Sequence, residues 1–202
     1  MLKAKVCVLV SGGGTNLQAI IDAVGSGKIS SAEISAVIAS NPSAYALERA
    51  KVSGVPAEVV CKKEMPSQDA FEQKLIETIE RYEADIIVLA GFMCILSENF
   101  TKRYPERIIN VHPSLIPSFC GKGFYGLKVH EAALGYGVKL TGATVHFVNE
   151  IPDGGRIIMQ KAVAIEDGDT PEILQRRVME QAEWIILPES VEKVAKEIIN
   201  RR

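Results

Sequence analysis

Short apolar runs rich in β-branched residues alternate with amphipathic segments of helical spacing along the first half of this chain. The first run, residues 5–10, is apolar almost throughout, which is typical of a parallel strand covered on both faces. Alternation of this kind predicts βαβ units with right-handed crossovers, and hence an α/β fold with a mostly parallel twisted sheet flanked by helices. The predicted strands are 5–10, 33–39, 55–60, 85–90 and 108–111, and the predicted helices are 16–24, 44–53, 68–82 and 97–104.

The second half of the chain has a different pattern. Two long strands, 139–148 and 156–165, are predicted to pair antiparallel at one edge of the sheet, joined by a loop that contains Pro152-Asp153-Gly154-Gly155. A Gly- and aromatic-rich loop at 117–126 and a short helix at 128–134 come before them. The C-terminal segment begins with Thr170-Pro171-Glu172, which has the composition of a helix start, and Pro188 is predicted to divide it into two helices.

Length and composition narrow the class of protein. The 202 residues suffice for one sizeable core, so we predict a single domain over residues 1–202. A net charge of -2 leaves no basic surface for nucleic acid, and no apolar run reaches the roughly 18 residues of a membrane span. The first residues lack the apolar stretch of a signal peptide, which predicts a cytoplasmic protein. The four cysteines are widely spaced, so we expect reduced thiols and no disulfide or zinc site.

The stretch Asn110-Val111-His112-Pro113-Ser114 ends the fifth predicted strand with an amide and an imidazole on the same face. Asn is poorly suited to a buried strand and His is seldom fully buried. Catalysis is therefore the favoured interpretation, against that of an ordinary core or surface histidine. If Asp153 reaches His112, its charge should raise the pKa of the imidazole. Protonated His112 and Asn110 would then donate hydrogen bonds to a developing oxyanion.

The other histidines support less specific interpretations. His146 lies on a predicted strand and could approach His112, whereas His130 is predicted to be solvated or to cap a helix. A metal site built from His112, His146 and Asp153 is not favoured, because no pair of them has the spacing of helical or knuckle ligands. Covalent catalysis by Ser114 or by one of the four cysteines has no support, since the chain lacks a Gly-x-Ser-x-Gly elbow and no cysteine has an adjacent base in sequence.

A glycine loop, Ser11-Gly12-Gly13-Gly14-Thr15-Asn16, follows the first strand and opens a helix. Glycines allow a ligand to approach the backbone closely, and a helix N-terminus offers free N–H groups to a phosphate. No Gly-Lys-Ser/Thr follows, and the second strand ends in Ser40-Asn41 instead of an acid, so neither a P-loop nor a dinucleotide site fits. The loop predicts a site for a single phosphate monoester; the alternative is a tight turn without a ligand.

Residues 89–96 continue the fourth strand into an apolar loop, which is unusual for a connecting segment. We expect a slot for a flat heterocycle, with backbone groups meeting the polar edge of the ring. The alternative is an ordinary core segment beneath the sheet. The side chains that would line the slot are Phe92, Met93, Ile95 and Leu96.

Four motifs in this order resemble the phosphoribosylglycinamide formyltransferase family: residues 10–20, 89–96, 109–117, and 144–148 with 153–155. The resemblance covers residues 5–188. It implies a Rossmann-like formyltransferase fold, 10-formyltetrahydrofolate as the formyl donor, and glycinamide ribonucleotide as the acceptor in de novo purine biosynthesis. With it we expect small-molecule partners only, no metal, and a monomer or homodimer.

The resemblance also assigns roles to individual residues. It makes Asn110, His112 and Asp153 the catalytic group. The acceptor is assigned to Gly14, Thr15, Asn16, His146 and Glu183, and the folate to Gln68, Met93, Cys94, Ile95, Leu96 and Asn110. Two residues depart from the family pattern, since many relatives have Arg in place of Cys94 and often Arg in place of Gln68.

Together these observations give a mechanistic hypothesis, in which the acceptor amine attacks the formyl carbon directly without a covalent enzyme intermediate. Rival interpretations are hydrolysis of the formyl folate, formyl transfer to an initiator methionyl-tRNA, and a non-catalytic sensor of a phosphorylated metabolite. The tRNA enzyme is disfavoured by the missing basic surface. The sensor would need the glycine loop but not the Asn110 and His112 pair.

Overall fold

The computed structural model describes residues 2–202. Met1, where the predicted single domain and the signal-peptide argument begin, lies outside the described residues. The strands are β1 (Ala4–Val10), β2 (Ala32–Ala39), β3 (Ala57–Val59), β4 (Ile86–Leu89), β5 (Ile108–His112), β6 (Leu140–Phe147) and β7 (Ile157–Ala164). The α-helices are α1 (Thr15–Gly25), α2 (Ala46–Val52), α3 (Gln68–Arg81), α4 (Glu98–Arg103), α5 (Leu127–Tyr136), α6 (Pro171–Val178) and α7 (Trp184–Asn200).

The seven strands form one sheet in the order β3-β2-β1-β4-β5-β6-β7. The pairs from β3 to β5 are parallel, whereas β5–β6 and β6–β7 are antiparallel. The predicted mostly parallel sheet with an antiparallel edge is therefore confirmed. The strand order reverses between β1 and β4, so the loops that leave their carboxyl ends diverge and open a crevice at the position where open α/β sheets bind ligands.

The sheet is apolar on both faces because its central strands are covered on both sides. In β1, Val6 and Val8 belong to one buried cluster and Cys7 and Leu9 to the other. The first cluster includes residues of α1, α6 and α7, and the second includes residues of α3 and α4. This double burial explains why the strand sequences are nearly continuous apolar runs.

The C-terminal helical segment breaks at a different place from the one predicted. Pro188 lies inside α7, and the irregularity is a π-helical turn at Met179–Glu183. A proline removes an N–H and its ring crowds the carbonyl four residues earlier, here that of Trp184, which is the first residue of α7. The disturbance therefore falls before the proline, and the prediction of a division at Pro188 was wrong.

Two further predictions have clear outcomes. All four cysteines are free thiols, as expected, with Cys7 and Cys61 buried. His130 was predicted to be solvated or capping, but its side chain is fully buried on α5. The apolar neighbours Val129 and Ala133 of the same helix are buried with it, so the imidazole is part of a packed helix face. None of the helices in residues 2–202 is long and apolar enough to cross a membrane.

Candidate active site

The glycine loop lies at the carboxyl end of β1, in the crevice where the strand order reverses. Gly14 has a φ of 72°, and a Cβ built on it would lie 2.6 Å from the Cβ of Ala46. Only glycine satisfies both the left-handed backbone and this close approach to α2. Gly14 also stands at the N-cap of α1 without a side-chain hydrogen bond, so no side chain of its own competes for the N–H groups of the first turn. The turn therefore keeps the features of an anion site.

Hydrogen bonds to α2 hold this loop in place. The N–H of Ala46 donates to the carbonyl of Gly12 at 3.1 Å, and Nε of Arg49 donates to the carbonyl of Gly13 at 2.8 Å. A cavity of about 290 Å³ opens over the loop. Its lining residues are Ser11, Gly12, Gly13, Gly14, Thr15, Asn16, Ala90, Gly91 and Met93. The predicted phosphate loop and the start of the predicted ring slot thus share one cavity.

Asn16 and Glu183 meet beside this loop although 167 positions separate them in sequence. The amide Nδ2 of Asn16 donates to Oε2 of Glu183 at 2.7 Å, and both side chains are nearly buried. Burial raises the pKa of Glu183 to about 6, despite the hydrogen bond from Asn16. Glu183 is the last residue of the π-helical turn, a type of irregularity often found at functional sites.

The second cluster forms at the ends of β5 and β6. Pairing of these strands sets Asn110 opposite His146, and Nδ2 of Asn110 lies 3.2 Å from Nε2 of His146. Asp153 comes from the loop between β6 and β7. Its Oδ2 lies 3.5 Å from Nδ1 of His112, and its Oδ1 lies 3.5 Å from Nε2 of His146. The structure therefore brings together all three residues predicted as the catalytic group, with His146 between the amide and the carboxylate.

Close packing shapes the loop that carries Asp153. A Cβ on Gly155 would lie 1.7 Å from the carbonyl oxygen of Phe147, so only glycine allows the chain to return this closely to β6. Asp153 itself has a φ of 56°, a left-handed conformation that Asp tolerates better than most residues. The turn residues noted in the sequence are thus what directs the carboxylate towards the two histidines.

A backbone carbonyl determines which nitrogen of each imidazole carries the hydrogen. Nε2 of His112 lies 2.9 Å from the carbonyl oxygen of Phe119, and Nδ1 of His146 lies 2.8 Å from that of Phe147. Because a carbonyl oxygen only accepts, each of these nitrogens carries the hydrogen. Nε2 of His146 is then free to accept from Asn110. The backbone N–H of Gly121 donates to Oδ2 of Asp153 at 2.8 Å, so the 117–126 loop contacts both His112 and Asp153.

The electrostatics of His112 differ from the prediction. Burial lowers the pKa of His112, and this effect outweighs the attraction of Asp153 and the hydrogen bond to Phe119. The predicted net rise was wrong because desolvation of an imidazolium exceeds the benefit of a carboxylate 3.5 Å away. Burial acts on Asp153 in the opposite sense, but the adjacent His146 and His112 side chains and the Gly121 N–H together leave the pKa of the carboxyl below its usual value.

The apolar loop at residues 91–97, named the donor loop below, alternates between two environments. Phe92, Cys94 and Leu96 pack against the buried cluster beneath α3 and α4. Met93 and Ile95 point outward and are 60% and 73% exposed. One side of the loop is thus core, as one of the two alternatives predicted, and the other is an exposed apolar surface on which a slot for a ring stays a prediction. The thiol of Cys94 faces the core, which leaves its backbone towards the surface.

The sequence placed Ser11 only in the glycine loop, and it missed two other residues of the site region. Ser11 and Glu72 make hydrogen bonds to the donor loop. The backbone carbonyl of Phe119 accepts the hydrogen bond of His112. The sequence carried a signal for Glu72, since a carboxylate beside the apolar stripe of α3 is unusual. The structure shows that Glu72 is buried there. Phe119 contributes only a backbone carbonyl, which no side-chain pattern reveals. Within residues 2–202 no group of three or more His, Cys, Asp and Glu side chains is arranged for a metal ion.

A larger cavity of about 510 Å³ lies between α1 and α7. It adjoins the glycine loop at Thr15, and Ala19, Trp184 and Pro188 form much of its apolar wall. It contains none of the residues predicted as the catalytic group.

Comparison with known proteins connects this geometry to one family. Residues 4–191 match the formyl transferase family. The chain is 40% identical over 176 residues to the phosphoribosylglycinamide formyltransferase of Escherichia coli (strain K12), which covers 87% of this chain and 80% of that protein. The crystal structure of glycinamide ribonucleotide transformylase 1 from Symbiobacterium toebii aligns with a TM-score of 0.90 at 40% identity, covering 96% of this chain and 89% of that one.

Other relatives are much longer than this chain. It is 42% identical over 193 residues to the trifunctional purine biosynthetic protein adenosine-3 of Bos taurus, a match that covers 96% of this chain. The chain spans only 18% of that relative's length. It spans 61% of the chloroplastic phosphoribosylglycinamide formyltransferase of Arabidopsis thaliana, to which it is 37% identical.

Proposed function

Because the chain belongs to the formyl transferase family, we propose that it transfers the formyl group of 10-formyltetrahydrofolate to the amine of glycinamide ribonucleotide, a step of purine biosynthesis. One observation carries the proposal. An anion site without a side-chain cap and a cluster of amide, imidazole and carboxylate both lie at the carboxyl ends of three adjacent strands, β1, β4 and β5. A reaction between a phosphorylated amine and a formyl carbonyl needs both features within one crevice.

The acceptor is assigned to the glycine loop. The N–H groups at the start of α1, from Gly14, Thr15 and Asn16, would bind the phosphate. Glu183 would accept hydrogen bonds from the sugar hydroxyls, and its contact with Asn16 supports this assignment, because it brings the carboxylate to the phosphate loop. His146 lies on the other side of the crevice, beside Asn110.

The donor is assigned to the donor loop and the loop that carries Asp153. Met93 and Ile95 would contact the faces of the pterin ring, while the backbone of residues 94–96 would meet its polar edge. Gln68 stands where the family resemblance leads us to expect an Arg, and its amide Nε2 donates to Glu72 and to the carbonyl of Ile95. It therefore acts within the protein, and as a neutral amide it offers no charge to a carboxylate on the folate tail.

In the chemical step, the neutral amine nitrogen of the acceptor attacks the formyl carbon. A new C–N bond forms, negative charge develops on the formyl oxygen, and the bond to the folate nitrogen then breaks. One proton passes from the attacking nitrogen to the departing folate nitrogen, which balances the reaction. Asn110 Nδ2 and His112 Nε2 are the two donors assigned to the oxyanion.

The lowered pKa of His112 refines this mechanism. A buried imidazole that carries its hydrogen on Nε2 donates to an oxyanion while neutral, so the ring need not be protonated before substrates bind. Asp153 faces the other nitrogen, Nδ1, at 3.5 Å. Its charge would stabilise a proton that reaches Nδ1 during the reaction, which gives the carboxylate a role without requiring a charged resting state.

The test is a two-substrate assay. Purified protein is mixed with 10-formyltetrahydrofolate, with or without glycinamide ribonucleotide, and release of tetrahydrofolate is followed by absorbance. We expect release that requires the acceptor. An acceptor without its phosphate should lose at least about a hundredfold in kcat/KM, since the anchor on the glycine loop is removed. Release without any acceptor would indicate a hydrolase instead, and binding without release would indicate a sensor; either result would overturn the proposal.

A further inference from the structure

The donor loop has no helix or strand of its own, yet its backbone is fastened near both ends. The fastened stretch includes Met93 and Ile95, whose exposed side chains form its outward surface. Seven residues in irregular conformation would otherwise sample many shapes before a ligand bound, and each would lose conformational freedom on binding. The contacts that fix this loop therefore bear directly on how well it binds a flat ring.

Ser11 holds the first end of the donor loop. Its hydroxyl Oγ accepts a hydrogen bond from the N–H of Met93 at 2.8 Å, and its backbone N–H donates to the carbonyl of Gly91 at 3.1 Å. A second hydroxyl, that of Ser40, lies 2.6 Å from Ser11 Oγ and orients it. Ser11 is also the first residue of the glycine loop, so one side chain joins the two loops that face each other across the crevice.

Glu72 holds the second end. This carboxylate is only 4% exposed, and it accepts from the N–H of Ser97 at 2.6 Å on Oε1 and from the Ser97 hydroxyl on Oε2. Gln68 donates to the same Oε1 at 2.6 Å and also to the carbonyl of Ile95 at 3.1 Å. A buried carboxylate with three hydrogen-bond donors is well satisfied, so these bonds are expensive to break.

From these contacts we propose that Ser11 and Glu72 are positioning residues that keep the donor loop in the shape the folate ring requires before the folate binds. The proposal rests on the proposed function, since it names how the same donor site is held. Besides Gly91 and Ser97, the fastened backbone groups belong to the two residues whose side chains face outward, Met93 and Ile95. Ser11 holds Met93, and Gln68, which donates to Glu72, holds Ile95. The network therefore orients the ligand-facing side chains in particular, and not only the loop as a whole.

The two positioning residues differ in one respect that can be measured. Glu72 contacts only the donor side, whereas Ser11 also belongs to the glycine loop. Loss of the Glu72 carboxylate should weaken the donor alone. Loss of the Ser11 hydroxyl should weaken both substrates, because the glycine loop and the donor loop are then no longer joined.

The experiment measures kcat and separate KM values for 10-formyltetrahydrofolate and glycinamide ribonucleotide. In Glu72→Ala we expect the donor KM to rise about tenfold while the acceptor KM stays within about twofold, which is the pattern of lost pre-organisation at one site. In Ser11→Ala we expect both KM values to rise. Glu72→Gln should restore most of the donor affinity, because its Oε1 still accepts from Ser97 and Gln68. Glu77→Ala is the matched control, an exposed glutamate on the same helix.

Each outcome decides the question. A donor KM within twofold of wild type in Glu72→Ala overturns the proposal, as does a parallel rise of both KM values in that variant. If Glu72→Ala does not fold, Gln68→Ala replaces it, because this partly exposed side chain carries the bond to Ile95; an unchanged donor KM there is equally contrary. Absence of transfer by the wild-type protein would instead refute the proposed function, so the two failures are distinguishable.

Discussion

Nε2 of His112 donates a hydrogen bond to the backbone carbonyl of Phe119, 2.9 Å away. A carbonyl of the protein thus accepts the hydrogen bond that we assign to the formyl oxygen of the substrate. Exchange of one carbonyl for another changes the hydrogen-bond balance little, so an entering substrate can displace Phe119 at small cost. We expect the 117–126 loop to move at this point, and the contact with Phe119 already fixes the hydrogen of the imidazole on the nitrogen that we assign to the reaction.

Removal of either oxyanion donor should slow turnover. For His112→Ala and Asn110→Ala we expect kcat to fall by about a hundred- to a thousandfold, the usual cost of losing one such donor. The measurement is steady-state kinetics together with thermal melting, which should show folded protein in both variants. Unchanged turnover in either variant would remove that residue from the mechanism.

The pKa of His112 can be measured directly by NMR titration of its ring protons. We expect a value below the ordinary 6.5, because burial dominates. In Asp153→Asn the value should fall further, since the carboxylate is the main group that raises it. A wild-type value above 6.5 would contradict the assignment of a neutral resting imidazole.

Glu183 should make stability depend on pH. Its pKa is raised to about 6, so the folded state favours the protonated carboxyl, and this stabilisation is lost as the pH rises through 6. Glu183→Gln keeps an acceptor for Asn16 and carries no charge. Denaturant unfolding should therefore show the variant more stable than wild type by about 2 kcal/mol at pH 8, with the gap closing near pH 4.5. The acceptor KM should rise in the same variant, because a carboxylate acceptor for the sugar is lost.

His130 should make the free energy of unfolding depend on pH in the opposite direction to Glu183. Burial, together with the nearby His112, lowers the pKa of its imidazole to about 4, so protonation favours the unfolded chain. Stability is then present above pH 6.5 and is lost as the pH falls towards 4. His130→Leu removes this dependence. Between pH 7.5 and 4.5 the wild type should lose about 2–3 kcal/mol more than the variant in denaturant unfolding. Parallel pH curves for the two proteins would show that His130 is not buried in its neutral form.

The glycine loop offers a matched pair of substitutions. Gly14→Ala adds a Cβ at 2.6 Å from Ala46 on a left-handed backbone, whereas a Cβ on Gly13 meets nothing within 4 Å. We expect Gly14→Ala to lower the free energy of unfolding by more than about 1 kcal/mol and Gly13→Ala to change it much less. Equal effects of the two substitutions on unfolding would contradict the close contact between α1 and α2.

The strand and helix pattern was predictable because each central strand is buried on both faces, which leaves a nearly continuous apolar run. The antiparallel edge followed from two long strands joined by a loop too short for a helix. Asn110 and His112 could be found because polar residues at the end of a buried strand conflict with local preference. Glu183 and Gln68 came from the family resemblance alone, whereas the apolar run at residues 89–96 had itself predicted a slot for a flat ring.

Other features depend on packing that the local sequence does not encode. Burial of His130 arises from the way α5 packs onto the protein, and neighbouring residues in sequence do not determine that orientation. The direction of the His112 pKa shift depends on burial of the ring as well as on the Asp153 carboxylate, and the sequence does not show how deeply the ring is buried. The predicted division of the C-terminal helix at Pro188 was wrong because the disturbance that a proline causes lies one turn earlier, at the carbonyl that it crowds.

Ser11 belongs to both halves of the crevice, because it begins the glycine loop and its hydroxyl accepts a hydrogen bond from the N–H of Met93. Through this residue a molecule bound on one side can alter the affinity for a second molecule on the other side. Thermodynamic reciprocity makes the two effects equal in size, whichever molecule binds first.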